Sequence, residues 1–362
     1  MNSRYRTHPF LLPNERVDER DTMFARRERI LDTEPYQDYY SRHPELKTID
    51  DRIRRLHPLF HPAGQYYHSK ITKQAKQYFD SIETIIPDSE IIDNYASQLK
   101  KSSMSTHAIK RLIYALGAVG VGYSILQKEF IYTHRGRLNE NYGQAIELDH
   151  PNVIVFLVEM NFDNMQKAPH AETLFESGKQ YYRAAEISLT LAAILQTLGF
   201  SAKAHYDAHY DIMLPPLAVQ AGLGELGRNN ILIADKYGSR VRIGAITTDL
   251  PLDFDKPIDL GADHFCDNCK KCADNCPSNA LSIDKKENIH GIEKWPTNIE
   301  RCYSIWLKYG TDCGICMACC PYSHHNNWFH NMTRWMVRSF PSLHRIFLYL
   351  DDLVYGRKWQ NQ

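Results

Sequence analysis

CDNCKKCADNCP, residues 266–277, sets four cysteines at spacings of two, two and three and closes on a proline. Cys266-x2-Cys269-x2-Cys272-x3-Cys276-Pro277 is the run that wraps three corners of an iron–sulfur cubane and points its fourth thiolate at a neighbouring cluster. A zinc site instead pairs CxxC knuckles across a longer loop. Downstream, Cys313-x2-Cys316-x3-Cys320-Pro321 repeats the end of the motif, with Cys302 ahead of it. By crossed ligation, Cys266, Cys269, Cys272 and Cys320 would hold one 4Fe-4S cluster and Cys276, Cys302, Cys313 and Cys316 the other. Cys319 is left as a small buried filler.

All nine cysteines of the 362-residue chain fall between Cys266 and Cys320. A disulfide framework would spread its bridges, so this clustering reads as metal ligation in a reducing compartment. Two adjacent cubanes relay single electrons over a short distance. A cysteine-free body this long is more than packaging and should hold the reaction centre or another cofactor.

Length predicts two to three domains. Hydrophobic residues at 43% and charged residues at 24% are those of a globular protein, which excludes wholesale disorder and collagen. Lys+Arg and Asp+Glu both number 43, so no net field draws nucleic acid to the whole chain. MNSRYRTHPFLLPNE has no apolar segment behind its arginines, and the apolar stretch from Leu112 to Leu126 is shorter than the roughly 18 residues of a bilayer span. The expected location is cytoplasmic.

Residues 1 to about 75 read as an extension over a core, with a helical patch from Asp21 and a helix at Ile49 to Leu56. From Pro87, helix and strand signals alternate in the α/β manner. Ser105 or Thr106 caps a helix through Leu116, while Val119 to Ile125, VIVFLVE at 153–159 and Arg240 to Thr248 read as strands. Gly178 to Leu198 reads as a long helix stopped by Gly199, and Pro215-Pro216 starts another. In the tail, Leu343, Ile346, Phe347, Leu350, Leu353 and Val354 fall at helical spacing, predicting a helix packed on the protein through that stripe. Docking to a membrane or a partner is the alternative for it.

Gly222-Leu223-Gly224-Glu225-Leu226-Gly227 matches the dinucleotide fingerprint but sits between a Pro-initiated helix and the strand-like Asn230 to Ile233, where a Rossmann site needs strand before helix. Its glycines should instead let backbone approach a ligand or another segment closely. No phosphate-binding loop and no nucleophile elbow is legible.

GLGELGRNNILI, KYGSRVRIGAITTDLPL, the HFCDNCKKCADNCPSNALS run and CYSIWLKYGTDCGICMACCPYS together resemble the corrinoid and iron–sulfur reductive dehalogenases, as do ERDTMFARRER and YSRHPELKTIDDRIR near the start. The cysteine motifs alone are shared with the related epoxyqueuosine reductases. The resemblance implies an α/β fold: an N-terminal extension over 1–100, a nitroreductase-like cobalamin-binding domain over 101–260, a ferredoxin-like domain with two 4Fe-4S clusters over 261–323 and a helical tail over 324–362. It implies base-off cobalamin contacted by Gly222, Gly224, Gly227, Arg228, Asn229, Tyr322 and Ser323. Tyr181 falls at the family's proton donor and Arg242 at its partner arginine. A phenol is a poor acid alone, and a nearby guanidinium stabilises the phenolate left after transfer.

Asp207 or His209 occupies the place of a pocket asparagine, and Trp306 that of a tryptophan at the iron–sulfur edge of the pocket. The implied activity is reductive removal of halide from a small organic substrate. The implied partners are a low-potential donor such as ferredoxin or flavodoxin, with a peripheral membrane contact and a homodimer both open and no nucleic acid. The competing readings are reduction of a modified tRNA base and a non-catalytic corrinoid or electron-transfer homologue.

Overall fold

The computed structural model describes residues 12–101 and 105–359. Residues 1–11, on which most of the signal-peptide reading falls, lie outside them. In chain order the strands are β1 Gly120–Ile125, β2 Asn152–Glu159, β3 Ala202–His205, β4 Gly224–Leu226, β5 Leu232–Ala234, β6 Val241–Thr248, β7 Glu287–Ile289 and β8 Ile292–Lys294.

The apolar run VIVFLVE becomes β2, the centre of a four-stranded sheet ordered β1-β2-β6-β3 with every pairing antiparallel. Its side chains alternate between two cores. Ile154, Phe156 and Val158 face one core with Leu191 and Ile194, while Val153, Val155 and Leu157 face the other with Leu217 and Leu232. A strand covered on both faces needs no polar positions, which is why it reads as a continuous run. Burying each such side chain stabilises the fold by about 1.5–3 kcal/mol.

The long helix spans Ala171–Thr197 and so starts about two turns before the expected Gly178. Gly178 lies inside it. A Cβ there would come within 3.0 Å of the Ala75 carbonyl oxygen, so this glycine permits close packing of the Ser69–Ile82 helix and does not punctuate. The helix expected at Ile49 to Leu56 runs Pro44–Arg54, with the proline in its first turn. Ser105 caps Thr106–Ala115 as expected, its hydroxyl accepting from the Ala108 amide.

The N-terminal segment lies over the body. Arg26 forms a buried ion pair with Asp50 at 2.6 Å and a partly buried one with Glu300 at 2.7 Å, and Met23 packs with Tyr303 and Leu307. At the other end the stripe prediction is corrected. In the His344–Tyr355 helix, Leu353 is 71% and Val354 70% exposed, and Ile346 and Leu350 also face outward. The inward face carries His344, Phe347, Leu348 and Asp351; Asp351 binds both Lys271 and His324. Of the stripe, Phe347 alone packs against the core formed around Phe265 and Trp295. Polar anchors set this helix's rotation, because a buried lysine without its acid would cost more than exposing several leucines. Among the described residues no helix is long and apolar enough to cross a membrane.

His205 on β3 gives the fold a pH dependence. Fully buried, it accepts the Asp211 amide at Nδ1, so its neutral Nε2–H donates to Thr247 Oγ1 at 3.0 Å. Burial depresses its pKa to about 3. The unfolded chain takes up a proton below pH 6.5 that the folded chain refuses. Stability is therefore expected to fall by about 1.4 kcal/mol per pH unit from 6.5 towards 3. Urea midpoints at pH 7 and pH 5 should show a loss of this sign, and His205→Gln should remove the share due to His205 while His330, brought down to about 4 by burial, keeps its own.

Candidate active site

Tyr181 stands on the long helix one turn after Ser177, and Arg242 on β6 faces it, with the guanidinium carbon 4.5 Å from the centre of the phenol ring. One Arg242 Nη donates to Ser177 Oγ at 2.6 Å and to Asp312 at 3.3 Å. The Ser177 hydroxyl donates to the same Asp312 oxygen. Asp312 reaches this place because its neighbour Thr311 donates to the Pro169 carbonyl at 2.7 Å, pinning the cysteine-bearing segment to the start of the long helix. Burial pushes the Tyr181 phenol up to about 12. Arg242 opposes that rise, as Arg137 does more weakly, while Asp207 and Asp312 reinforce it. Burial also raises the Asp312 carboxyl, against Arg242 and Ser177.

A second arginine closes the site. Arg137 donates to Asp207 and to the Tyr210 hydroxyl, both at 3.2 Å, and its guanidinium lies over the Phe24 ring at 5.0 Å. Although burial works against its charge, Asp207, Tyr210 and Tyr181 hold Arg137 firmly protonated. Two Arg–Asp pairs, Arg137–Asp207 and Arg242–Asp312, thus bear on one phenol. Phe24 continues the wall to Trp306, 6.0 Å between ring centres, and Trp306 lies close enough to Cys302 to oppose the burial that raises its thiol pKa. A line of contacts therefore joins the Tyr181 surroundings to the cysteine domain. His209 binds Glu83 at 2.9 Å and lines a cavity of about 480 Å³ with Lys203 and Asp211, a cavity that Arg137 and Tyr210 also line.

The cysteines gather as two sets. Cys272 feels the charge of Cys266, Cys269 and Cys320, and Cys266 that of Cys269 and Cys320. Cys316 feels Cys302, Cys313 and Cys276, and Cys313 feels Cys302 and Cys276. One interaction, Cys272 with Cys316, links the sets and makes them neighbours. Cys319 lies beside the first set. All nine are free thiols. Among the described residues no group of three or more His, Cys, Asp or Glu side chains is placed to hold a single metal ion. Burial pushes Cys269 and Cys313 up to about 12 and Cys302 up to about 11. Buried thiols become thiolates only against a strong positive partner, which an iron–sulfur cluster provides.

Residues 265–324 match the family of 4Fe-4S dicluster domains. Over 99% of its length, the chain superposes on a catabolic reductive dehalogenase, NpRdhA, with a TM-score of 0.73 and 24% identity. The chain has the reductive dehalogenase fold. It covers 49% of that solved structure. It is also 38% identical over 196 residues to a tetrachloroethene reductive dehalogenase of Desulfitobacterium hafniense, a match covering 51% of this chain and 35% of the relative. An epoxyqueuosine reductase of Lactococcus garvieae is 31% identical over 153 residues, 40% of this chain and 41% of the relative. The chain thus spans about half the length of the solved dehalogenase it resembles.

Within the dehalogenase fold, the residues expected to touch a corrinoid are engaged with the protein itself. A Cβ on Gly224 would sit 2.2 Å from the Ile233 carbonyl oxygen, and one on Gly222 2.5 Å from that of Lys256. Gly227 packs on Ile233, and GEL is strand β4 of the β4–β5 hairpin. The glycines therefore admit other chain segments and form no open cradle. Arg228 is buried, donating to the Cys266, Ser282 and Asp284 carbonyls over the Trp295 ring. Asn229 donates to the Cys316 carbonyl, Tyr322 to that of Leu260, and Ser323 accepts the Ser239 amide.

Unpartnered polar atoms occur instead at Tyr181. There, Arg242 Nε and Asp312 Oδ1 are both buried without a hydrogen-bond partner, and such orphaned groups cost about 1–3 kcal/mol unless something supplies the missing contact. Sequence reasoning missed Ser177, Asp312, Arg137 and Tyr210. Only the position of Asp312, directly before Cys313, could have flagged one of them.

Proposed function

We propose that this chain is a reductive dehalogenase-like oxidoreductase that replaces a carbon–halogen bond by carbon–hydrogen, consuming two electrons and one proton and releasing halide. The observation that carries the reading is the convergence of Tyr181, Arg242 and Asp312 at the edge of the second cysteine quartet. Cys266, Cys269, Cys272 and Cys320 would hold one 4Fe-4S cluster, and Cys276, Cys302, Cys313 and Cys316 the other. Arg242 and Asp312, with their unmet polar atoms, would face a base-off cobalamin. When bound, the clusters supply one-electron transfer and the cobalamin supplies low-valent cobalt for breaking the carbon–halogen bond.

The chain's own groups handle the proton and the substrate. The Tyr181 hydroxyl donates the proton, and Arg242, against its ring, stabilises the phenolate that remains. Asp312 and Ser177 hold Arg242 in place. Asp207, locked to Arg137 beside Tyr181, takes the substrate-facing position for which His209 was the other candidate. The single electrons come from a ferredoxin or flavodoxin. The outward apolar face of the His344–Tyr355 helix is the surface offered to a membrane or a second copy.

Anaerobic expression with cobalamin, metal counting and a screen of chlorinated and brominated phenols and alkenes for halide release test this reading. About eight iron atoms and about one cobalt per chain are expected. Cys302→Ser should lose one cluster, about four of those irons, and keep the rest. Colourless or zinc-loaded protein would overturn the reading, and loss of the epoxide from tRNA in place of halide release would transfer it to the epoxyqueuosine branch.

A further inference from the structure

Arg137, which closes the site, projects from a turn that the N-terminal segment holds by its backbone. Residues 131–137 run between two neighbours. On one side is the segment bearing Asp207 and Tyr210: the Tyr132 amide donates to the Asp211 carbonyl at 2.9 Å, and Ile131 bridges to Ile212. On the other side run residues 16–29. The Arg16 guanidinium donates to the carbonyls of Ile131, Tyr132 and Ile146, and the Thr133 amide donates to the Val17 carbonyl at 2.9 Å.

At Gly136 this contact passes to two buried charged side chains. Glu19, 4% exposed, uses one oxygen, Oε2, to accept the Gly136 amide at 2.7 Å and, more weakly, the Arg137 amide at 3.4 Å. Arg29, 1% exposed, donates from Nη2 to the Gly136 carbonyl at 2.5 Å, its guanidinium lying over the Tyr142 ring at 4.1 Å. Both polar groups of Gly136 are therefore met by side chains of the N-terminal segment. The two backbones also touch: a Cβ on Gly136 would lie 2.4 Å from the Arg20 nitrogen, so the turn seats against Glu19 and Arg20 only because it carries no side chain there. Packing alone would be served as well by apolar side chains of similar size. The buried charges answer a different need, the backbone groups of one turn.

That turn delivers the guanidinium of Arg137. Its Nη1 reaches Asp207 and the Tyr210 hydroxyl at 3.2 Å each, and Phe24, from the same N-terminal segment, lies 5.0 Å beneath it. We infer that Glu19 and Arg29 are positioning residues of the active site: by fixing the Gly136–Arg137 turn they hold Arg137 on Asp207 and Tyr210, and so orient the substrate-facing carboxylate. The role given to Asp207 rests on the dehalogenase reading above, whereas the hold on the turn does not.

The test has one readout that needs no substrate and one that does. In the full chain, reconstituted anaerobically with iron, sulfide and cobalamin, hydrogen exchange followed by mass spectrometry reports on the turn. The peptide carrying Gly136 and Arg137 should exchange about tenfold faster in Glu19→Ala than in wild type, with peptides of β2 and the long helix unmoved. Glu19→Gln, whose side-chain oxygen can accept the same two amides, should restore most of the protection. In halide release from the best substrate of the screen above, Glu19→Ala should lower kcat/KM by about tenfold, mostly through KM, and Glu19→Gln should recover most of it. Glu19→Ala/Arg137→Gln should be no worse than Arg137→Gln alone, because a group that acts by aiming Arg137 has nothing left to aim. Should Glu19→Ala fail to fold, Arg29→Met, which removes the donor to the Gly136 carbonyl and keeps an unbranched chain over Tyr142, should give the same two changes in smaller measure. Unchanged exchange in both variants, Glu19→Gln no better than Glu19→Ala, or losses that multiply in the double variant would overturn the inference. A wild-type protein that releases no halide would instead overturn the dehalogenase reading, and the exchange rates would still decide the hold on the turn.

Discussion

Tyr181→Phe is expected to lower turnover by about 10²–10⁴-fold while leaving the iron and cobalt content of the protein unchanged. The change removes one oxygen and keeps the ring against Arg242 and Phe79, so packing survives. What disappears is the only phenol of the site on which both Arg242 and Arg137 act. With its pKa near 12, Tyr181 stays protonated across the neutral range, so the wild-type rate should show no alkaline limb from this group until the pH approaches that value. Burial alone would make the phenol a still weaker acid; Arg242 and Arg137 pull it back. Halide release measured under saturating reductant decides the matter, and full activity in Tyr181→Phe would assign the proton to another donor.

The second large effect is at Arg242. Arg242→Gln should cost about 10²–10³-fold in turnover, the usual loss when a preorganised donor to a developing negative charge is removed. It should also raise the Tyr181 pKa further, because the leading influence holding it down is gone. The double variant Tyr181→Phe/Arg242→Gln should be no slower than the worse single variant, since an arginine that stabilises a phenolate has no task once the phenol is gone. Losses that multiply would show that Arg242 acts on substrate or cofactor independently of Tyr181. Asp312 is left buried without its counter-charge in Arg242→Gln, so some loss of stability accompanies the change. Arg242→Lys, which keeps the charge and drops the bidentate fork, separates the two effects.

The cysteine runs were legible because cluster ligation is written in local spacing. A short stretch of chain and a proline fix where four thiols point, and residues 265–324, which carry all nine cysteines, match the family of 4Fe-4S dicluster domains. VIVFLVE was legible for a similar reason, since a strand buried on both faces leaves its mark at every position. Gly178 misled because one residue type serves two ends, stopping helices and admitting a neighbouring backbone, and only the packed Ser69–Ile82 helix shows which applies. The tail stripe misled because hydrophobic spacing fixes a face without saying which face has a partner. Lys271 and His324, distant in sequence, claimed the side bearing Asp351.

By itself the sequence determined the cluster chemistry, the α/β alternation and, through resemblance, the pairing of Tyr181 with Arg242. Only the tertiary structure decided that all sheet pairings are antiparallel, that Asp207 and not His209 stands by the phenol, and that Ser177 and Asp312 complete the site. The physical reason is range. Ligand spacing and strand burial act over a few residues along the chain. The Arg242–Ser177–Asp312 contacts join β6, the long helix and the cysteine domain, and nothing in any one of those segments announces the other two.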